Sequence, residues 1–424
     1  MLDINLLREK PEIVKASEKK RHKDSKVVDE VLSLDKQWKK ALKVMEDLKR
    51  QRNLVSQEIN SLKKSGKSGN TKIKEMKTVV QDIKKQEEKV AQELQKRNEK
   101  LSSIGNILHS TVPAGKDDTE NVELKTWGKK PSFTFPIQNH VVLLEKLGLA
   151  DFESSAKTSG HGFYFLKNDL ALLNQALLKF ATEFMLSKNY TYVEPPLMIR
   201  KNVLKSAVDV EELAQTIYSV EGEDLALIGT SEHALLGMHS CDIIPERDLP
   251  KKYTAYSMCF RKEVGAHGIN EKGLWRTHQF NKVEQFIFCK PNESGKCFEE
   301  LLQNSEEILQ ALGLPYRVIE LCAGDLSSWK HQSYDLEVWR PTTKNYGEVM
   351  SLSNCTDYQA RRSGIRFVNN DGSRQVPHTL NNTALATSRI MVAILENFQT
   401  KQGTVKVPKI LWPYMNGIKE IGKK

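Results

Sequence analysis

Ten positions from residue 31 to residue 62 recur in alternating steps of three and four. Nine are apolar: Val31, Leu34, Trp38, Ala41, Met45, Leu48, Val55, Ile59 and Leu62, with Arg52 the exception. That is a heptad seam, and it commits the segment to a long helix whose apolar stripe needs a second helix to cover it. Ser65-Gly66-Lys67-Ser68-Gly69-Asn70 follows, a polar, glycine-bearing turn that breaks the helix. The seam resumes as Ile73, Met76, Val80, Ile83, Glu87, Val90, Leu94, Arg97, Leu101 and Ile104, eight apolar of ten. Two matching helices joined by a short turn predict an antiparallel α-helical coiled-coil hairpin over about 28–104. At about 1.5 Å per residue, arms of about 32 residues give a rod roughly 50 Å long. A plain dimerisation coil is the simpler reading, but such coils rarely fold back at their midpoint.

The net charge of +10 is confined to this quarter of the chain. Residues 1–112 hold 27 of the 64 Lys+Arg but only 17 of the 54 Asp+Glu, so the remainder is neutral. On charge alone, a solvated Lys-rich surface and a polyanion-binding arm fit equally well. The helical pattern ends at Val112-Pro113-Ala114-Gly115. From about residue 120 short strand-like runs alternate with helical ones, an α+β pattern in one domain to the C-terminus. Leu170–Lys188 reads as a helix. Asn189–Ile199 reads as a strand stopped by Pro195 and Pro196, which suits a sheet edge.

No stretch reaches the roughly 18 uncharged apolar residues of a membrane helix. The start, Met1-Leu2-Asp3-Ile4-Asn5, has neither the basic nor the apolar region of a secretory signal and carries an early acid. The expectation is a cytoplasmic protein with no membrane association. The six cysteines are scattered, without zinc-ligand spacing, and read as thiols in a reducing compartment.

Chemistry concentrates in two neighbouring runs. Read as a strand, Tyr253–Glu263 places Ala255, Ser257, Cys259, Arg261 and Glu263 on one face, with Lys262 on the other. The loop Val264–Leu274, rich in glycine and charge, suits a nucleotide-contacting loop. The returning run Trp275–Phe288 places Arg276, His278, Phe280, Lys282, Glu284, Phe286 and Phe288 on one face. Glu284 thus lies among three phenylalanines, and a carboxylate buried alone costs several kcal/mol, so it needs a partner. An internal Arg–Glu pair across the hairpin is the ordinary reading. The functional one is a cavity faced jointly by Arg261, Arg276, Phe280 and Glu284. Ser231 reads as a helix cap, which would make Glu232 merely a favourable first-turn acid.

Three motifs in order change that weighting. Phe260-Arg261-Lys262-Glu263, a loop, and Arg276-Thr277-His278-Gln279-Phe280 resemble motif 2 of class II aminoacyl-tRNA synthetases. Asn189–Ile199 resembles motif 1, the dimer-interface segment, with Asn189 where glycine is usual. Asn382-Thr383-Ala384-Leu385-Ala386-Thr387-Ser388-Arg389 resembles motif 3. Within that class the chain resembles seryl-tRNA synthetase over nearly its full length. Thr230-Ser231-Glu232, His278–Glu284, Glu348-Val349-Met350-Ser351, Asn354–Arg362 and His378-Thr379-Leu380-Asn381 match that family's signature stretches. Met350 and Leu352 depart from it, standing where small or polar residues are more usual.

The resemblance implies residues 1–112 as a tRNA-binding helical arm. It implies residues 113–424 as a class II catalytic domain, an antiparallel β-sheet flanked by helices that carries the three motifs and forms a homodimer. It assigns Arg261 to the ATP α-phosphate and the serine carboxylate. Phe280 stacks on adenine, and Glu263 with the Thr277 backbone holds the adenine amino group. Arg389 grips the γ-phosphate, assisted by Arg276, and Glu348 and Ser351 hold Mg²⁺. Those two have opposite parity on an ideal strand, so the backbone must bulge there or one ligand must act through water. Thr230 and Glu232 bind the serine ammonium, and Glu284 and Thr383 bind its hydroxyl. Arg261, Glu284 and Arg389 are the residues on which catalysis is expected to depend. No zinc is expected, because the zinc-dependent variant of the family is not indicated.

The implied activity is ATP-dependent formation of seryl-adenylate and transfer to the 3′ end of tRNA(Ser), with tRNA(Sec) as a second candidate acceptor. Two other readings stand beside it. One is an adenylating ligase that loads a carrier protein, although such relatives lack a long arm. The other is a non-catalytic RNA-binding paralogue, which predicts losses at Arg261, Glu284, Glu348 or Arg389, all of which are present.

Overall fold

In the computed structural model, which describes residues 1–209, 214–263 and 272–422, the heptad seam becomes helices α1 (Lys26–Lys64) and α2 (Asn70–Ser102). Their ion pairs join early residues to late ones: Lys100 with Glu30, Arg97 with Asp35, Lys49 with Glu87 and Lys72 with Glu58. That order makes the hairpin antiparallel. Gly66 turns the chain at φ +69°, a left-handed conformation that costs glycine no Cβ clash.

All nine apolar seam positions of α1 are buried or half-buried, and Arg52 is exposed. In α2 the seam departs from expectation. Val79 is 4% exposed and Val80 49%, and Ile73 is exposed too. Steps of three then four, or four then three, both link Met76 to Ile83, so periodicity could not choose between two adjacent valines. Within the hairpin Asp35 is buried, and Arg8 holds it at 2.8 and 2.9 Å while Arg97 reaches it at 3.2 Å. A buried carboxylate persists in a seam only with such partners.

Residues Met1–Gly105 form one compact unit and Asn106–Lys424 a second. The second is built on an eight-stranded sheet: β1 (Val122–Trp127), β2 (Thr191–Val193), β3 (Lys251–Phe260), β4 (Gln279–Cys289), β5 (Tyr316–Glu320), β6 (Gln332–Arg340), β7 (Asn345–Thr356) and β8 (His378–Ala386). The strand order is β1-β5-β6-β7-β8-β4-β3-β2, antiparallel throughout except for the final β3–β2 pair. β2 is the edge strand expected of motif 1, and Pro195-Pro196 ends it; Met198–Arg200 pairs elsewhere. Asn189, standing in for glycine, takes φ +63°, a left-handed conformation that asparagine tolerates.

Helices α3 (Asn168–Ser187), α5 (Ser294–Leu312) and α6 (Thr387–Asn397) bring apolar stripes to the main core, with the short α4 (Ser231–Met238) elsewhere in the unit. Leu170, Leu173, Leu177 and Phe180 of α3, at three- and four-residue spacing, are buried in that core. So are Phe298, Leu301, Ile308 and Leu312 of α5, with Val283, Ile287, Leu336 and Leu380 from the sheet. Met350 and Leu352 also point into this core. Their departure from the family pattern therefore lies on the face of β7 away from Ser351 and Ser353, which line a cavity.

Candidate active site

The opposite face of the sheet carries that cavity, about 420 Å³. Its floor follows from strand register. Cys259, Ser257 and Ala255 of β3 stand opposite Phe280, Lys282 and Glu284 of β4, so the expected small residues leave room above the strand pair. Across the other edge of β4, Thr383 of β8 stands opposite Glu284. All twelve residues assigned by resemblance line this one cavity: Thr230, Glu232, Arg261, Glu263, Arg276, Thr277, Phe280, Glu284, Glu348, Ser351, Thr383 and Arg389. They come from the N-terminus of α4, the segment just past β3, the run leading into β4 and its first half, the first part of β7, the middle of β8 and the start of α6. Only the fold brings them together.

Glu284 is 1% exposed, and its partners differ from the expected arginine across the hairpin. Lys282, two residues earlier on the same strand face, is ion-paired to it, and the Thr230 hydroxyl donates to it at 2.9 Å. The cross-hairpin Arg–Glu pair is Arg276 with Glu263, at 3.4 Å. β3 stops at Phe260, and Glu263 takes φ +52°, so the strand parity read from sequence holds only as far as Cys259. Arg261 donates through Nε to the Gly229 carbonyl at 3.2 Å, and its guanidinium lies 5.3 Å from the Phe280 ring centre. The nucleotide-contacting loop expected at Val264–Leu274 falls largely outside the described residues.

Thr230, not Ser231, caps α4: its hydroxyl oxygen accepts from the Glu232 N–H at 3.3 Å. The same hydroxyl donates to Glu284, which makes the helix start part of the cavity. Glu232 is buried there and accepts from Gln359 at 2.6 Å. Burial, with the Glu284 charge adding, raises its pKa above the usual carboxylate value.

At the other end, the parity conflict between Glu348 and Ser351 is resolved by a bulge. Leu336 pairs with Met350 and Glu337 with Glu348, so Val349 is the extra residue and both oxygen side chains reach the cavity. Arg389 donates to the Glu348 carbonyl at 2.8 Å and to its carboxylate at 3.0 Å. Asp335 stands cross-strand from Ser351. Burial, reinforced by the Glu348 charge, pushes the Asp335 carboxyl well above the carboxylate range, and its Oδ1 has no hydrogen-bond partner among the described residues.

Sequence reasoning gave no role to Lys282, Gln359 or Asp335 and read Trp275 as a packing residue, whereas Trp275 lines the cavity. Lys282 was findable, since it shares strand parity with Glu284. The other three reach the site through partners distant in sequence.

His233 also lines the cavity. Burial, aided by the Arg261 and Lys282 charges, pushes its imidazole down to about 3, and burial likewise pushes His378 down to about 4. Both are neutral in the folded chain at a pH where the unfolded chain begins to bind protons, about 6.5. Their contribution is therefore complete above about pH 6.5 and is lost as pH falls towards 4. His233→Gln should flatten the acid limb of urea-unfolding stability between pH 6.5 and 4.5; an unchanged slope would assign that limb to other groups.

No group of three His, Cys, Asp or Glu among the described residues could hold a metal ion, and no described helix is long and apolar enough to cross a membrane.

Residues 1–108 match the seryl-tRNA synthetase N-terminal domain, and residues 215–398 match the class II tRNA synthetase core domain of the G, H, P, S and T enzymes. The serine–tRNA ligase of Methanocella arvoryzae is 44% identical over 422 residues, covering 99% of each chain. The chain belongs to the seryl-tRNA synthetase family. The solved seryl-tRNA synthetase of Pyrococcus horikoshii, complexed with ATP, superposes with a TM-score of 0.93 at 42% identity, covering 99% of both chains. The cytoplasmic serine–tRNA ligase of Naegleria fowleri, in complex with AMP, gives 0.89 at 34% identity, covering 99% of this chain and 98% of that one. The fold expected from the motifs is thus the family's fold from end to end.

Proposed function

We propose that the chain is a cytoplasmic serine–tRNA ligase that activates L-serine with ATP and transfers it to the 3′ end of tRNA(Ser). The observation that carries this reading is the convergence of twelve residues from six separate segments on one cavity. Residues 113–424 form the catalytic domain and dimerise through motif 1. Met198 of motif 1 is 49% exposed, and Leu172 and Leu186 of the preceding helix α3 are 41% and 47% exposed, which supports a partner surface. Residues 1–112 form the arm that holds tRNA, which gives the localised +10 charge a polyanion to meet.

Serine enters the end of the cavity lined by Thr230, Glu232, Glu284 and Thr383. Glu232 takes the ammonium, and Glu284 with Thr383 takes the hydroxyl. Glu284 needs a charge to accept that hydrogen bond strongly, and Lys282 supplies the countercharge. Alanine is refused because it would leave these buried groups unpaired. Arg261, with a planar fork suited to paired oxygens, holds the serine carboxylate and the α-phosphate together. Phe280 stacks on adenine, Glu263 and the Thr277 backbone hold its amino group, and Arg276 and Arg389 hold the triphosphate.

Glu348 and Ser351 would hold Mg²⁺. The donors fit, since magnesium commonly takes one or two protein oxygens plus phosphates, and the unpartnered Asp335 oxygen behind them favours a cation. When bound, magnesium neutralises phosphate charge.

The serine carboxylate attacks the α-phosphorus in line, the bond to the bridging oxygen breaks, and pyrophosphate leaves. The carboxylate is already a nucleophile at neutral pH, so positioning and charge neutralisation suffice. The terminal ribose hydroxyl of the tRNA then attacks the adenylate carbonyl, releasing AMP.

Incubation with labelled serine, ATP and tRNA(Ser) tests the reading, with tRNA(Sec) in parallel to settle the second acceptor. Serine should become acid-precipitable on tRNA(Ser). Activation without charging of either RNA would favour a carrier-protein acceptor. Lys282→Met should raise the serine KM about tenfold by leaving the Glu284 charge without its counter-ion, with the ATP KM little changed. An unaltered serine KM would take Lys282 out of the serine site.

A further inference from the structure

No step above uses Trp275. Two guanidinium groups lie over its indole: the central carbon of Arg340 is 4.1 Å from the ring centre and that of Arg389 is 5.4 Å away. Both fall within the roughly 6 Å reach of cation–π attraction. Arg340 is itself anchored, donating at 2.9 and 3.3 Å to Glu396, a carboxylate with no exposure. The indole also rests on Gly347, where a Cβ would come within 2.5 Å of it. The ring therefore has little freedom to move, and the Trp275 backbone carbonyl accepts from Nε of Arg389 at 3.4 Å.

Among the described residues, the other groups that hold Arg389 are the carbonyl and carboxylate of Glu348. Glu348 has a second task under the proposed function, which is to face magnesium. A carboxylate shared with a cation loses part of its pull on a guanidinium, whereas the indole face and the Trp275 carbonyl keep theirs.

We propose that Trp275 is a positioning residue for Arg389, holding its guanidinium at the γ-phosphate end of the cavity, with the Glu396–Arg340 pair as its brace. This rests on the reading of Arg389 as the γ-phosphate ligand. It predicts that loss of the ring harms recognition of ATP while sparing AMP, which has no γ-phosphate.

The test is equilibrium binding of ATP and of AMP by titration calorimetry with magnesium, on the full chain. Trp275→Leu should weaken ATP about tenfold and AMP less than about twofold, and Trp275→Phe should recover most of the ATP affinity. In an Arg389→Gln background, Trp275→Leu should add nothing, because the two act as one unit. Trp275→Met, also apolar and without a ring, replaces Trp275→Leu if that variant does not fold.

Equal losses for ATP and AMP, or losses that add to Arg389→Gln, would reduce Trp275 to a packing residue and overturn the proposal. If Arg389→Gln itself leaves ATP affinity unchanged, the assignment of Arg389 fails first, and the two failures are told apart.

Discussion

Glu284→Ala should lower kcat/KM for serine in ATP–pyrophosphate exchange by roughly a thousandfold, since removing one partner of a buried ion pair costs about 3–5 kcal/mol. Glu284 is 1% exposed, and it satisfies both the Lys282 ammonium and the Thr230 hydroxyl. Truncation leaves a buried cation unpaired and, on the proposed assignment, removes the acceptor for the serine hydroxyl. The loss should concentrate in serine: the proposed assignment puts ATP at the far end, among Arg261, Phe280 and Arg389, so its affinity should change little. Glu284→Gln, which keeps an acceptor oxygen but not the charge, should fall between the two. An unchanged serine rate in Glu284→Ala would remove this residue from the site. A parallel loss of ATP binding would mean the cavity had collapsed.

Removing Met1–Gly105 should abolish charging of tRNA(Ser) while leaving serine-dependent exchange within about threefold of the full chain. Every residue lining the cavity lies between Val208 and Arg389, in the second compact unit, and that unit has its own core running from Leu143 to Ile421. All the excess positive charge lies in the part removed. Charging by the full chain at low tRNA concentration should also fall steeply with salt, because phosphate neutralisation releases counterions. Equal loss of both activities in the truncated chain would end this division of labour.

The hairpin was legible because a heptad period needs only local spacing. Besides Ile73, which is exposed near the turn, the seam was misread where Val80 was taken for Val79, two adjacent β-branched residues that satisfy the same spacing. Strand parity placed Phe280, Lys282 and Glu284 on one face correctly, and it failed at Glu263, where a left-handed residue ends the pattern. Parity could state the conflict between Glu348 and Ser351 but not resolve it. The bulge at Val349 is set by pairing with β6, which lies outside the local sequence. The same limit hid Trp275, whose neighbours Arg340 and Arg389 are 65 and 114 residues away. The motifs named the cavity's residues; the strand pairings explain why they meet.

ATP–pyrophosphate exchange, run separately with each of the twenty amino acids, tests whether the chain adenylates serine. Exchange is expected with serine, weakly at most with threonine, and not with alanine. Absence of exchange with every amino acid, from the folded protein, would contradict serine adenylation and leave the non-catalytic RNA-binding reading.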